Sequence, residues 1–201
     1  MRIGILADIH GDVDHLKSVL ARLRREAVDE IIVLGDVIES RNGSIETVAL
    51  LKSHDAVGVW GNHELGLCVD ASSEIRATYT EPVMDFFATL VPRFELGDLL
   101  FSHALPSEDA ADPTSYYLGR RPDEEGGVDP SFALFPHRVI FIGHFHRWFV
   151  VTPQTILPWD GTEPIELETD QRYIVGVHAV MNGRFAIFDD STNVMTPCKV
   201  G

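Results

Sequence analysis

The chain has 201 residues, 45% of them hydrophobic, which fits one globular domain because a single core grows efficiently to about 250 residues. Sixteen Lys and Arg stand against 31 Asp and Glu, a formal charge of -15 that repels a phosphate backbone and excludes extended DNA or RNA as a partner. Two cysteines, Cys68 and Cys198, in no CxxC pair, predict no disulfide scaffold and a reducing, cytoplasmic setting.

In chain order, residues 2–7 are an apolar run too short for a helix or a membrane span and read as a buried strand that ends at Asp8. No cleavage-like site precedes Asp8, so neither export nor anchoring is expected. Leu16, Val19, Leu20 and Leu23 then form one helical stripe behind the carboxylates of Asp12 and Asp14, where Asp12 is expected to cap. Residues 31–34 predict a second strand, Ser44 the cap of a second helix carrying Val48 and Leu51, and residues 56–60 a third strand. Alternating strands and helices imply parallel pairing.

Residues 72–91 read as helical with a break near Pro82, the second segment carrying Val83, Phe86, Phe87 and Leu90. Beyond them strands dominate. A hairpin is predicted for residues 93–96 and 99–102 around Gly97-Asp98, and another for 173–180 and 184–188 around Asn182-Gly183. Residues 104–130, rich in Pro, Asp, Glu and Gly, predict a long surface loop that covers or flanks a site.

Five clusters of polar residues follow predicted strands: Asp8-Ile9-His10, with Asp8 and His10 expected on one side by strand alternation; Gly35-Asp36; Gly61-Asn62-His63-Glu64; His103; and Gly143-His144-Phe145-His146. A lone Asp at a strand end is a turn former or cap. Five such clusters gathered at the carboxyl edges of strands, where open α/β sheets place ligands, make a site. Imidazole mixed with oxygen donors suits Mn, Fe, Zn, Co or Ni better than Ca. Of the remaining side chains, His15, His54 and His137 read as surface or loop residues and His178 as a core or edge histidine. Cys68 and Phe145 read as packing, and Arg147 as a candidate substrate contact.

The ordered series DxH, GD, GNHE, H and GHxH, spanning residues 8 to 146, resembles the calcineurin-like metallophosphoesterases. The resemblance implies an α/β fold, a two-sheet sandwich flanked by helices. It also implies two metal ions, one held by Asp8, His10 and His146, the other by Asn62, His103 and His144, with Asp36 bridging them. Two ions about 3.5–4 Å apart lower the pKa of a bridging water and hold phosphoryl oxygens for in-line attack. His63, left over from that ligand set, is then free to protonate the leaving oxygen. Glu39 matches the Asp of the GDxVDRG stretch in the protein-phosphatase branch and is the candidate to orient His63.

In that stretch, Gly35-Asp-Val-Ile-Glu-Ser40, the branch's arginine is replaced by Ser40, with Arg41 one place later. The overall pattern is closer to small phosphodiesterase-like members, although Gly176-Val-His178-Ala lacks their Asn-x-Gly-Ser turn. The expected activity is hydrolysis of a small phosphate ester, first as a phosphodiesterase or nucleotide-directed hydrolase. A serine/threonine protein phosphatase or a dinucleoside-polyphosphate hydrolase is the alternative, and a non-catalytic scaffold of the same fold is a third reading, against which His63 argues.

Overall fold

The computed structural model describes residues 1–41, 43–118, 121–124 and 129–201. The first third of the chain runs β1 (Arg2–Leu6), α1 (Val13–Arg25), β2 (Glu30–Leu34), α2 (Ser44–Ser53) and β3 (Val57–Val59), with β1–β2 and β2–β3 parallel as the alternation predicts. The expected stripe of α1, Leu16, Val19, Leu20 and Leu23, is its buried face. Asp12 caps this helix, its carboxylate accepting the His15 N–H at 3.0 Å. The cap expected at Ser44 is absent: Gly43 is the N-cap, with φ of 81°, and the Ser44 hydroxyl instead donates back to the Arg41 carbonyl at 2.8 Å.

Three short helices follow, α3 (Leu65–Cys68), α4 (Ser73–Thr78) and α5 (Glu81–Phe87). The predicted break falls at Tyr79 and Thr80, and Pro82 sits in the first turn of α5, where its missing N–H costs nothing. Next come β4 (Arg93–Leu96) and β5 (Leu99–Ser102), the predicted hairpin turning at Gly97 with φ of 62°. Within and after the predicted loop lie α6 (Ser115–Leu118) and α7 (Ser131–Leu134); residues 119–120 and 125–128 of that loop fall outside the described residues. The remaining strands are β6 (Val139–Ile142), β7 (Phe149–Val151), β8 (Ile165–Glu166), β9 (Tyr173–Gly176), β10 (Arg184–Asp189) and β11 (Val194–Lys199).

One sheet has the order β3-β2-β1-β10-β11-β8 and the other β4-β5-β6-β9-β7, both mixed in direction. Strand alternation divides the side chains cleanly. Ile3, Ile5, Ile32, Leu34, Ala186 and Phe188 of the first sheet meet Leu99, Phe101, Val139, Phe141 and Val175 of the second in a shared core. Leu6, Ile31, Val33, Phe185 and Ile187 face the other way, onto α1, α2 and α5. The outer face of the second sheet packs Leu100, Ile140, Ile142 and Ile174 against Leu105 and Phe132. The result is the expected α/β sandwich of two sheets with outer helices. Among the described residues no helix is long and apolar enough to cross a membrane.

The hairpin predicted around Asn182-Gly183 does not form. Strand β9 pairs with β6 and β7 in one sheet, while β10 pairs with β1 in the other. Between them the chain crosses the sandwich: a 3-10 turn over Val180–Asn182 docks on the first loop, with Val180 N–H on the Ala7 carbonyl at 2.8 Å and Met181 N–H on that of Asp8 at 3.2 Å. Gly183, at φ of 67°, ends this turn rather than joining paired strands. The terminal hairpin is β10–β11, whose turn is tied by Asp189 accepting from Ser191.

Phe141 is fully buried at the centre of the shared core, its ring 5.3 Å from those of both Phe101 and Phe188. Phe141→Ala should lower unfolding free energy by about 3–5 kcal/mol in urea titration. A loss under about 1 kcal/mol would mean the sheets close over the gap.

Candidate metal centre

Because β1, β2 and β3 are parallel, the three loops that follow them share one edge of the first sheet; the loops after the parallel strands β5 and β6 share an edge of the second. The two edges meet at His103, whose Nδ1–H donates across the sandwich to the Leu34 carbonyl at 2.6 Å. Backbone bonds lace the first loops together, His10 N–H to the Asp36 carbonyl and Gly11 N–H to that of Val37, both at 2.9 Å.

Three sets of side chains each bring one donor atom within 4.8 Å of the others: Asp8, His10 and His146; Asp36, His103 and His144; and His10, Asp36 and His63. Asn62 adjoins the second set, its Oδ1 3.0 Å from His103 Nε2. All seven expected ligands are therefore brought together, with His63 and Glu39 beside them. Asp36 belongs to two of the sets, which is the arrangement that bridging requires.

Convergence does not come from strand alternation, as the sequence suggested. Strand β1 stops at Leu6, and Asp8 and His10 have left-handed backbone, φ of 52° and 49°. Asp36, His144 and His146 do likewise, at 48°, 63° and 51°, so among the described residues five of the nine non-glycine residues with positive φ are candidate ligands. Such conformations cost on the order of 1–3 kcal/mol each and persist where surrounding structure over-determines them. Glycines make the room: a Cβ on Gly61 would lie 2.1 Å from Asp36 Oδ1, and one on Gly143 3.1 Å from Asp8 Oδ2.

The charges call for a cation. Asp8 is 0% and Asp36 2% exposed, yet among the described residues neither pairs with a lysine or arginine. Asp8 Oδ1 has the His144 N–H at 3.2 Å and His146 Nε2 at 3.3 Å, while its Oδ2 is buried with no hydrogen-bond partner among the described residues. A buried carboxylate oxygen left bare is costly unless something positive meets it. His10 donates from Nδ1 to Glu39 at 2.7 Å, which leaves the lone pair of its Nε2 facing His146 Nε2 at 3.2 Å. Two imidazole nitrogens so placed need a proton or a metal ion between them. The donors present, carboxylate, imidazole and amide oxygen, fit a pair of transition-metal ions.

Without metal, protons take over part of that task. Burial opposes charge on His103, but Asp36 at 3.3 Å outweighs it and holds the imidazole up at about 9; burial likewise works against ionised Asp36, and His103 and His63 overcome it and keep that carboxyl well below its ordinary range. The Asp8 contact raises His146, whereas burial and the neighbouring His103 lower His144.

Glu39 stands beside His63 and closer still to His10. Its Oε2 lies 3.4 Å from His63 Nδ1 but only 2.7 Å from His10 Nδ1, so one carboxylate touches both histidines and holds the metal-side one more closely. Glu64, fully buried, accepts from Ile38 N–H and Gly61 N–H at 3.0 Å each and ties two ligand loops together; burial and Asp36 push it up to about 7. Its signal lay in Gly61-Asn62-His63-Glu64, where a fourth-position carboxylate can turn back on the first N–H. Tyr116 and Tyr117, on α6, had no local signal: Tyr116 offers its carbonyl to His144 Nε2 at 2.9 Å, and the Tyr117 hydroxyl accepts from Asn62 Nδ2 at 3.3 Å.

The other singled-out residues stay outside the three sets. His15 pairs with Asp12, His54 ends α2, and His137 lies 3.5 Å from Glu95. His178 accepts the Ala179 N–H and packs edge-on to Trp148. Phe145 packs on the outer core, Cys68 donates to the Phe87 carbonyl, and Arg147 pairs with Asp123 at 3.2 Å.

The pH dependence of the stripped protein follows from His103. A histidine raised from 6.5 to about 9 gives stability that is whole below pH 6.5 and is lost as pH climbs through 9. Chelator-treated protein should therefore melt at steadily lower temperature across that window. Added Mn should flatten or reverse the trend, because the ion replaces the proton and binds better as pH rises. A melting temperature of stripped protein that is flat from pH 6.5 to 9 would contradict this.

A family model of calcineurin-like phosphoesterases matches residues 1–176. An uncharacterised protein of Methanocaldococcus jannaschii is 26% identical over 213 residues, covering 94% of this chain and 82% of that one. A symmetrical bis(5'-nucleosyl)-tetraphosphatase of Sodalis glossinidius is 42% identical over 66 residues, 31% of this chain and 23% of that enzyme, so the likeness spans under a quarter of its length. Among solved structures, a metallophosphoesterase from Sphaerobacter thermophilus superposes with a TM-score of 0.73 at 23% identity, over 100% of this chain and 89% of the other. The chain belongs to the calcineurin-like phosphoesterases, a family that normally uses a dinuclear metal site, and is a hydrolase of phosphate esters.

Proposed function

We propose that the protein is a dinuclear-metal phosphoesterase acting on a small phosphodiester or nucleotide. The observation that carries this reading is the overlap of the three donor sets, Asp36 standing with His10 in one and with His103 and His144 in another, around buried carboxylates that no lysine or arginine neutralises among the described residues. Asp8, His10 and His146 would hold one ion, Asn62, His103 and His144 the other, and Asp36 both. Ions in such a pair supply Lewis acidity, acidifying a water and neutralising phosphoryl oxygens.

The chain's own residues do the rest. His63 presents Nε2 3.9 Å from Asp36 Oδ2, at the margin of the donor sets, with Nδ1 turned to Glu39. From there its Nε2–H protonates the leaving oxygen, while the Glu39 carboxylate, 3.4 Å from Nδ1, favours a ring turned toward the substrate. The same carboxylate fixes the tautomer of His10, so that Nε2 faces its ion. Net charge of -15 favours a small substrate over a nucleic-acid chain.

A second reading has an observation of its own: the local 42% identity to a symmetrical tetraphosphatase supports a dinucleoside polyphosphate, cleaved at an anhydride by the same groups. A panel of diester, monoester, dinucleoside tetraphosphate and phosphopeptide substrates with added Mn separates these. Turnover of phosphopeptides alone would overturn the first reading and the second.

His63→Asn should keep wild-type metal content while kcat falls about 10²–10⁴-fold; loss of metal instead would make His63 a ligand. Asp36→Asn should empty or uncouple both sites by elemental analysis, and a variant with full metal and activity would refute bridging.

A further inference from the structure

Helix α6 is pinned to the metal centre by one tyrosine and presents the next. Tyr116 is 8% exposed; its hydroxyl donates to the Ala110 carbonyl at 2.9 Å, its ring lies 5.6 Å from that of His103 and 5.7 Å from that of His144, and its carbonyl receives the His144 Nε2–H. That anchorage fixes the backbone of its neighbour. Tyr117 is 71% exposed, with its ring 6.5 Å from His144 and its hydroxyl on Asn62 Nδ2. A large aromatic ring so open to water beside a cluster of candidate ligands has no packing role to explain it.

The hydrogen-bond inventory gives it one. A tyrosine hydroxyl has one hydrogen and two lone pairs. At Tyr117 a lone pair takes the Asn62 amide N–H, and among the described residues no acceptor takes the hydrogen, which stands beside the candidate ligands of the second ion. Among the described residues, the charged alternatives that the sequence offered are engaged or displaced. Ser40 stands where the protein-phosphatase pattern has an arginine, Arg41 lines a surface groove with Ser44, Tyr79 and Thr80, and Arg147 is paired with Asp123.

We propose that Tyr117 is a substrate-contact residue whose hydroxyl, oriented by Asn62 Nδ2, donates a hydrogen bond to a non-bridging phosphoryl oxygen. This rests on the phosphoesterase reading above for its substrate, and it assigns part of phosphate recognition to helix α6. Asn62 thereby serves two partners at once, its oxygen turned to the metal side and its nitrogen to the tyrosine that meets the substrate.

The test compares wild type with Tyr117→Phe, which keeps the ring and removes only the hydroxyl. Mn-loaded proteins are titrated with inorganic phosphate by calorimetry, and Mn content is measured in parallel. The variant should carry wild-type Mn and bind phosphate about tenfold more weakly, the effect of one hydrogen bond to a charged group. Unchanged phosphate affinity would overturn the proposal, as would wild-type protein that binds no phosphate. Loss of Mn from the variant would overturn it too, since Tyr117 would then merely hold Asn62 in place. Ester hydrolysis by wild type is scored separately, so failure of the functional reading is distinguishable from failure at Tyr117.

Discussion

Two carboxylates shut away from water, Asp8 and Asp36, are the constraint around which the molecule is arranged. A buried negative charge has to be met by positive charge and by hydrogen bonds, or it neutralises itself. Here the answer is a ring of imidazoles and backbone N–H groups, with no lysine or arginine against either carboxylate among the described residues. Histidine is the one cationic side chain that can also give up its proton and become a ligand. The same cluster is therefore tolerable when protonated and ready to accept metal when not.

Holding that cluster together demands close approaches between backbones and side chains that only glycine permits. Gly61 lets Asp36 Oδ1 reach the His63 N–H at 3.0 Å, and Gly143 lets the His144 loop pass over Asp8. Glu64 then locks the two loops flanking Asp36 by accepting an N–H from each. The candidate ligands are thus set by loop geometry, while the sheets behind them supply the packing that resists the local strain. Glu39 stands apart, being exposed at the rim and shared between two histidines.

The fold was most legible where burial imposes a period. The stripe of α1 and the apolar strands β1, β2, β5 and β6 announce themselves because each packs one or both faces against a core. The clusters of candidate ligands were legible as well, since each follows a short apolar strand. What the sequence hid was non-local. Asn182-Gly183 has the chemistry of a hairpin turn, but Val177 and Val180 belong to cores on opposite sides of the first sheet, and that burial draws the chain across the sandwich. Tyr116 and Tyr117 escaped notice because a loop reveals its neighbours only after the fold closes.

That crossing also bears on how the centre comes into being. Asp8 lies near the beginning of the chain, yet the peptide groups that clasp its loop come from Val180 and Met181, and its strand is completed on one side only by β10. Contacts between positions so far apart in sequence are slow to form and cannot form until the later segment exists. During synthesis the helices and β1–β3 can gather early, whereas the clasp on the Asp8 loop must wait for Val180 and Met181. The loop that carries Asp8 and His10 thus takes its last backbone support from residues about 170 positions further along the chain.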